Sequence, residues 1–187
     1  AANDQVEAQV ARDFDRVRAE NPLSFSLRGA LKPSSNLNNG ADTAVQLIDG
    51  LPVAGALSGD AQALGGLVAS LDGNIAYRLR GSKTSRTQVA GRLFVQRTAL
   101  NSAAKAQSPS SSNSDFGASY AALTLSHSFA VGQTGGSARL AGTLGQYWSG
   151  GEKSYRFARL EAARNWRLSP ANSLHIAASV EERDPAG

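Results

Sequence analysis

The sequence predicts an all-β fold: an antiparallel transmembrane β-barrel, of which this chain supplies about seven strands after one amphipathic α-helix. The first observation behind this prediction is a two-residue alternation from Leu67 to Leu79, with small or apolar odd positions and mostly polar even positions. A strand directs successive side chains to opposite faces, so the run has one apolar and one polar face. The run exceeds the average strand of about 5–6 residues and suits a tilted strand that crosses a bilayer in about 9–11 residues.

The second observation is that this alternation recurs along the chain, and the composition agrees with it. Barrel strands are only half apolar, so the mean hydropathy of −0.27 is the kind of value they give. The 187 residues include no Cys and two His, which leaves no disulfide, no thiolate ligand and too few ligands for a structural zinc site. We therefore predict no metal and no cofactor.

The net charge of +4 raises the question of a nucleic-acid partner. The Lys and Arg residues are spread through strands and turns, without a basic helix or a recognisable reader motif. We therefore predict no nucleic-acid binding, and we expect these cations in the lumen and at the membrane interfaces of a barrel.

Residues 3–20 predict one amphipathic helix. Val6, Val10, Phe14 and Val17 recur on one helical face, and Asn21-Pro22 ends the pattern. The other face mixes acidic and basic residues, which favours a soluble helix packed on a neighbouring domain over a helix on a membrane surface. We assign residues 1–21 to the tail of a periplasmic helical domain and residues 22–187 to the N-terminal part of the barrel.

From Leu23 the period changes to two. The first strand begins there and is expected to stop at Pro33, and a less regular segment then leads to the long strand that ends at Arg80. A third strand surrounds Val89–Val95, and the Ser- and Ala-rich residues 101–114 predict a mobile loop. Four more strands follow: one near 116–130, and three separated by the turns 131–136, 149–151 and 169–172.

The lengths of the connections predict a topology. The long connections 33–64 and 101–114 fall at one end of the strands, whereas the short turns 81–86, 131–136 and 169–172 fall at the other. Outer-membrane barrels have long external loops and short periplasmic turns. We therefore place the chain in the bacterial outer membrane, with its helix in the periplasm.

Seven strands point to a larger assembly. Bacterial single-chain barrels have an even number of strands, and an open sheet edge in lipid leaves backbone groups unsatisfied. We expect the remaining barrel strands to come from another chain or from a missing segment.

The candidate functional residues are those that the alternation turns toward the lumen. Rings of charged side chains set pore selectivity, so this set is expected to contact a solute or a client protein. The alternative is a salt-bridged interior that only stiffens the wall. The predicted lumen-facing residues are Arg28, Lys32, Asp72, Arg78, Arg80, Arg92, Arg139, Arg159, Glu161, Glu181 and Arg183.

No catalytic constellation is evident, and we predict that the protein is not an enzyme. His127 falls in the lipid-facing phase near a strand end, and His175 is expected to point inward beside Glu181 and Arg183. Several aromatic residues lie toward strand ends, where they predict interfacial girdles, with ordinary packing as the alternative for the two tryptophans: Tyr77, Tyr147, Trp148, Tyr155 and Trp166.

The segment from Pro33 onward resembles the barrel domain of surface lipoprotein assembly modifiers, the Slam family with its DUF560-type barrel. Three features carry this resemblance: the motif Pro33-Ser34-Ser35-Asn36-Leu37-Asn38, the pair of segments 49–53 and 57–61, and a long Gly-rich first hairpin. The resemblance implies a tetratricopeptide-like periplasmic domain before a barrel of about fourteen strands. Its motif-loop residues here are Pro33, Ser35, Asn36 and Asn38, for which a purely structural role is the alternative.

The family resemblance implies a function in export. Such a barrel helps lipoproteins, or soluble haem- or metal-scavenging proteins, to cross the outer membrane and reach the cell surface. The expected partners are outer-membrane lipid and an exported protein client. The alternative is a passive porin that prefers anions, because cations outnumber acids in the lumen-facing set.

Overall fold

The structure, a computed structural model, describes residues 5–10, 12–13, 21–43, 45–47, 54–132, 135–169 and 171–185. Seven long strands form one antiparallel sheet in the order β1-β4-β5-β6-β7-β8-β9, and two short strands form a separate hairpin. The prediction of an antiparallel all-β fold is confirmed. The strands are β1 (Leu23–Ser34), β2 (Val45–Leu47), β3 (Ala54–Ala56), β4 (Gly66–Gly81), β5 (Ser85–Leu100), β6 (Ala118–Val131), β7 (Gly136–Ser149), β8 (Glu152–Arg167) and β9 (Ser173–Pro185).

The two faces of the sheet differ in chemistry because the registers keep the alternation of each strand in phase with its neighbours. Apolar residues of adjacent strands stand opposite one another, as in the pairs Leu71–Val95 and Leu123–Leu144. The apolar face carries Leu27, Ile75, Leu93, Leu125, Leu144, Leu160 and Val180. The polar face carries Arg28, Asp72, Arg92, Thr124, Thr143, Arg159 and Glu181.

The apolar face is open to its surroundings over all seven strands. Phe25 on β1 is 80% exposed, and Leu144 and Leu160 in the middle of the sheet are 67% and 66% exposed. Soluble proteins rarely expose a contiguous apolar patch larger than a few hundred Å². The large apolar side chains of this sheet therefore do not form an interior core.

The two ends of the sheet also differ. The connections 35–65, 101–117 and 150–151 lie at one end, the loop end, and the connections 82–84, 132–135 and 168–172 lie at the other, the turn end. This placement agrees with the predicted division between long loops and short turns.

A small apolar core lies in the loops at the loop end. Leu64 is fully buried there, and Leu100 and Ala104 are 6% and 3% exposed. The partly buried side chains of Leu37 and Phe116 pack against them. We call the connections 35–43, 57–65 and 101–117, which surround this cluster, the loop cap.

The prediction of a mobile loop at 101–114 is wrong. The segment contains the helix Ser102–Gln107 and a 3₁₀ turn at Asn113–Phe116. Asn101 caps the helix, because its side-chain Oδ1 accepts a hydrogen bond from a backbone N–H of the first turn at 2.8 Å. The Gln107 Nε2 atom donates to the Gly59 carbonyl at 3.0 Å, which ties the helix to the other long connection.

The first long connection is also more ordered than the sequence predicted. Strand β1 continues through Pro33 to Ser34, because Pro33 lies on an edge strand where its missing N–H breaks no ladder hydrogen bond. The predicted irregular segment contains the hairpin of β2 and β3.

The predicted N-terminal helix is described only in part. Residues 5–10 and 12–13 are helical, with Val6 and Val10 exposed, and residues 3–4, 11 and 14–20 of the predicted helix lie outside the described residues. Among the helices that the structure describes, none has the length and apolar character needed to span a bilayer.

Candidate functional site

The registers bring almost all of the predicted lumen-facing residues to the polar face. Strands β1, β4, β8 and β9 contribute two of them each, β5 and β7 contribute one each, and β6 contributes none. The residues that share this face are Arg28, Lys32, Asp72, Arg78, Arg92, Arg139, Arg159, Glu161, Glu181 and Arg183.

Arg80 departs from this pattern. A register shift between Arg78 and Arg80 inserts one residue, so that Arg80 pairs with Thr87. Thr87 lies on the apolar face, because it alternates in step with Val89, the register partner of Leu125. A bulge places two residues opposite one and breaks the alternation, which simple counting from Leu67 does not detect.

Three groups of ion pairs cross neighbouring strands on the polar face. Arg92 contacts Asp72 through two hydrogen bonds, Nε to Oδ1 at 3.2 Å and Nη2 to Oδ2 at 2.9 Å. Arg139 Nη1 donates to Glu161 Oε1 at 2.7 Å. These side chains are partly solvated, so each isolated pair contributes about 0–1 kcal/mol to stability.

The third group joins two guanidinium groups to one carboxylate. Glu181 accepts hydrogen bonds from Arg159 Nε at 2.7 Å and from Arg183 Nε at 2.6 Å. Arg159 and Glu181 stand directly opposite each other on β8 and β9. One positive charge therefore remains in excess within this triad.

A row of aromatic residues crosses the polar face near the loop end, which the alternation along single strands does not reveal. Phe94, Tyr120, Tyr147 and Tyr155 are consecutive register partners on β5, β6, β7 and β8. The rings of Tyr147 and Tyr155 are stacked with centroids 5.3 Å apart. Tyr147 and Tyr155 were predicted in interfacial girdles, and this is wrong because their register places them on the polar face.

Phe157 joins the row to its neighbours one step closer to the turn end. Its ring stacks on Tyr120 with centroids 5.6 Å apart and is only 6% exposed. It lies across Gly145, where a Cβ atom would come within 2.4 Å of the Phe157 Cε1 and Cζ atoms. Glycine at this position is therefore what lets the ring lie flat against the sheet. We call Phe94, Tyr120, Tyr147, Tyr155 and Phe157 the aromatic row.

Arginine side chains lie over several of these rings. The Cζ atoms are 5.8 Å from the ring centroid for Arg92 over Tyr120, and 4.9 Å for Arg183 over Tyr155. Arg159 lies 5.9 Å from the centroid of Phe157. Cation–π contacts of this kind hold the guanidinium groups in place while leaving N–H donors for other partners.

The two histidines have different surroundings. His127 lies in the apolar-face phase near the turn end, where its Nδ1 is 2.8 Å from the Thr87 hydroxyl and its ring stacks on Phe129. His175 lies on the polar face, but it pairs with Asn165. The expectation that it sits beside Glu181 is wrong, since five residues of β9 lie between the two.

Asn38 of the family-motif loop joins the segments 35–43 and 57–65 of the loop cap through hydrogen bonds of its side chain. Its Nδ2 atom donates to the carbonyl oxygens of Asp60 at 2.8 Å and Gln62 at 2.7 Å. Its Oδ1 atom accepts from the backbone N–H of Leu64 at 2.9 Å. All of these are backbone partners, so the amide positions the buried Leu64 of the loop cap.

Asn36 closes the motif loop on itself. Its Nδ2 donates to the Gly40 carbonyl at 2.8 Å, and its Oδ1 accepts from the Gly40 N–H at 2.9 Å. Pro33 pairs with Leu67 at the end of β1, and Ser35 is exposed. The motif loop thus has a structural role in the loop cap.

Within the described ranges, no three His, Asp, Glu or Cys side chains come together as a set that could hold a metal ion. No protein-family model, no curated protein and no solved structure matches the chain.

Proposed function

We propose that this chain forms part of the wall of a transmembrane β-barrel in the bacterial outer membrane, and that the barrel helps to export lipoproteins or secreted proteins or to display them at the cell surface. The exposed apolar face of the sheet is the observation that carries the membrane part. The export part rests on the resemblance of the segment from Pro33 onward to the Slam family.

The apolar face has the height of a membrane. On β5 the apolar side chains of this face lie between Thr87 and Arg97, ten positions apart, and on β8 Ala158, Leu160 and Ala162 lie between Arg156 and Arg164, eight positions apart. At a rise of about 3.3 Å per residue these spans measure about 33 and 26 Å along the strands. For a strand tilt of about 40° they correspond to about 25 and 20 Å along the membrane normal, close to the ~25 Å apolar band of outer-membrane barrels.

The band is bordered at both ends by residues suited to a membrane interface. At the loop end Arg97 Nη1 donates to Ser119 Oγ at 3.0 Å, and Arg156 pairs with Asp184 at 2.8 Å. At the turn end the Arg164 guanidinium lies over the Trp166 ring, with Cζ 5.2 Å from its centroid. Tryptophan and arginine are typical anchors at the level of lipid headgroups.

The border at the loop end also supports a tilted sheet. The registers align Arg156 on β8 with Leu93 on β5, four residues short of Arg97. Four residues measure about 13 Å along the strands, and three strand spacings measure about 14 Å across them. If Arg97 and Arg156 lie at the same membrane surface, these two lengths mean that the strands are tilted by about 40° from the membrane normal. Strands of membrane barrels are tilted by ~35–45°.

A passive anion-preferring porin is the second candidate. The polar face favours it because the predicted lumen-facing residues on that face comprise seven cationic residues and only three acidic ones, Asp72, Glu161 and Glu181. Charged linings of this kind select ions by sign.

The membrane part is tested by folding the protein into phospholipid vesicles and digesting it with trypsin. Protection of β4 to β9, with cleavage restricted to the two ends of the sheet, is the expected result. Cleavage at the central arginines Arg92 and Arg159, as fast in vesicles as in detergent-free buffer, would contradict a membrane location.

Two measurements separate export from passive diffusion. Deletion of the gene should reduce protease-accessible lipoproteins or secreted proteins at the surface of intact cells, while their total amount stays constant. In planar bilayers the protein should then give no steady large current. A steady anion-selective current without an export defect would instead establish the porin.

A further inference from the structure

The aromatic row and the arginines beside it form a contiguous surface with more positive than negative charge. Arg92, Arg159 and Arg183 contribute three guanidinium groups, against the two carboxylates of Asp72 and Glu181. Glu181 accepts hydrogen bonds from both Arg159 and Arg183. A carboxylate of a ligand can therefore bind one of these arginines while Glu181 keeps its hydrogen bond to the other.

The shape of this surface suits an extended ligand. The row from Phe94 to Tyr155 crosses four adjacent strands, β5 to β8. Three strand spacings of about 4.8 Å give a length of about 14 Å, the length of about four residues of extended peptide. The arginines Arg92, Arg159 and Arg183 stand on the side of this row nearer the turn end.

We propose that the aromatic row and its arginines bind an extended peptide segment that carries carboxylate and aromatic side chains. This inference rests on the proposed function, because the polar face then lines the route of an exported client. Arginine donors bind the carboxylates, and the aromatic row supplies stacking partners for aromatic side chains of the segment.

The test uses the protein folded into vesicles and a fluorescent peptide of alternating Glu and Tyr. We expect Arg183→Gln to weaken binding about tenfold, because it removes the excess charge and leaves Glu181 paired with Arg159. The matched control is Arg156→Gln, which removes an arginine of a similar ion pair one position along the same two strands but on the apolar face. It should leave peptide binding unchanged.

A second pair of variants tests the aromatic half. Tyr120→Leu should weaken binding of the Glu-Tyr peptide several-fold, whereas Trp148→Leu on the opposite face should not. Equal binding of a Glu-Ser peptide, equal binding of a Lys-Tyr peptide, or competition by an acidic oligosaccharide at lower concentration would each overturn the proposal.

Trypsin protection of the same vesicle preparation separates this inference from the proposed function. Protected protein that does not bind the peptide refutes the peptide site alone. Loss of protection refutes the membrane assignment on which the site depends.

Discussion

The strongest consequence of the open apolar face concerns Leu160, which lies midway along the apolar stretch of β8. Leu160 is 66% exposed and stands four residues from both Arg156 and Arg164, which border the face on its strand. In water, an exposed substitution of this kind changes the free energy of unfolding by less than about 0.5 kcal/mol. At the midplane of a bilayer, an arginine on the lipid side costs about 2–4 kcal/mol. Leu160→Arg therefore distinguishes the two environments.

The assay is guanidinium-induced unfolding of the protein folded into phospholipid vesicles, followed by the circular dichroism of the sheet. The matched control is Leu174→Arg, the same substitution on the same face, opposite Trp166 at the border of the band. It should cost about 0–1 kcal/mol, because the cost falls toward the interfaces. Equal, small losses for both variants would refute the reasoning that the apolar face contacts lipid.

The loop cap, the glycine under the aromatic row and the hydrogen bonds between Ser112 and Asp115 in the loop cap give further predictions. Asn38→Ala removes side-chain hydrogen bonds to the backbone of Asp60, Gln62 and Leu64, of which the last two are partly buried, and should lower the free energy of unfolding by about 1–3 kcal/mol, measured by the same titration. Gly145→Ala should cost about 1–3 kcal/mol, because its Cβ would overlap the phenylalanine ring above it; Gly142→Ala, whose Cβ would make only an ordinary contact at 3.7 Å, is the control. Hydrogen bonds from the Ser112 side chain and backbone lower the pKa of Asp115 below its ordinary value of 3.8, so this contribution to loop-cap stability is present above that value and is lost as the pH falls through the lowered pKa. Side-chain NMR titration of Asp115 should report the lowered value, and Ser112→Ala should raise it.

The strands could be predicted from the sequence because their signal is local. Each long strand alternates apolar and polar residues, and a period of two is incompatible with a helical face. The same alternation assigned most lumen-facing residues to one face. It failed at Arg80, because one inserted residue in the register exchanges the faces and leaves no mark in the composition.

The loop cap and the aromatic row could not be predicted because they depend on distant contacts. The Ser- and Ala-rich composition of residues 101–114 suggests disorder, but Gln107 is held by Gly59, 48 residues away in the sequence. Similarly, Tyr147 and Tyr155 lie near strand ends, and only the register shows that they align with Phe94 and Tyr120.

The directions of the two edge strands restrict the number of further strands that can close this sheet into a barrel. Every neighbouring pair in the sheet is antiparallel, so β1 and β9, the first and seventh strands in spatial order, run the same way. A ring sealed by antiparallel pairing therefore needs an odd number of further strands between β9 and β1. Two copies of the sheet related by rotation about the axis of the barrel, which keeps the strand directions, would meet through two parallel seams, whose hydrogen bonds are slanted and evenly spaced. A ring made from two such sheets with their loop ends on the same side therefore contains two parallel seams, and only inversion of one sheet would make every seam antiparallel.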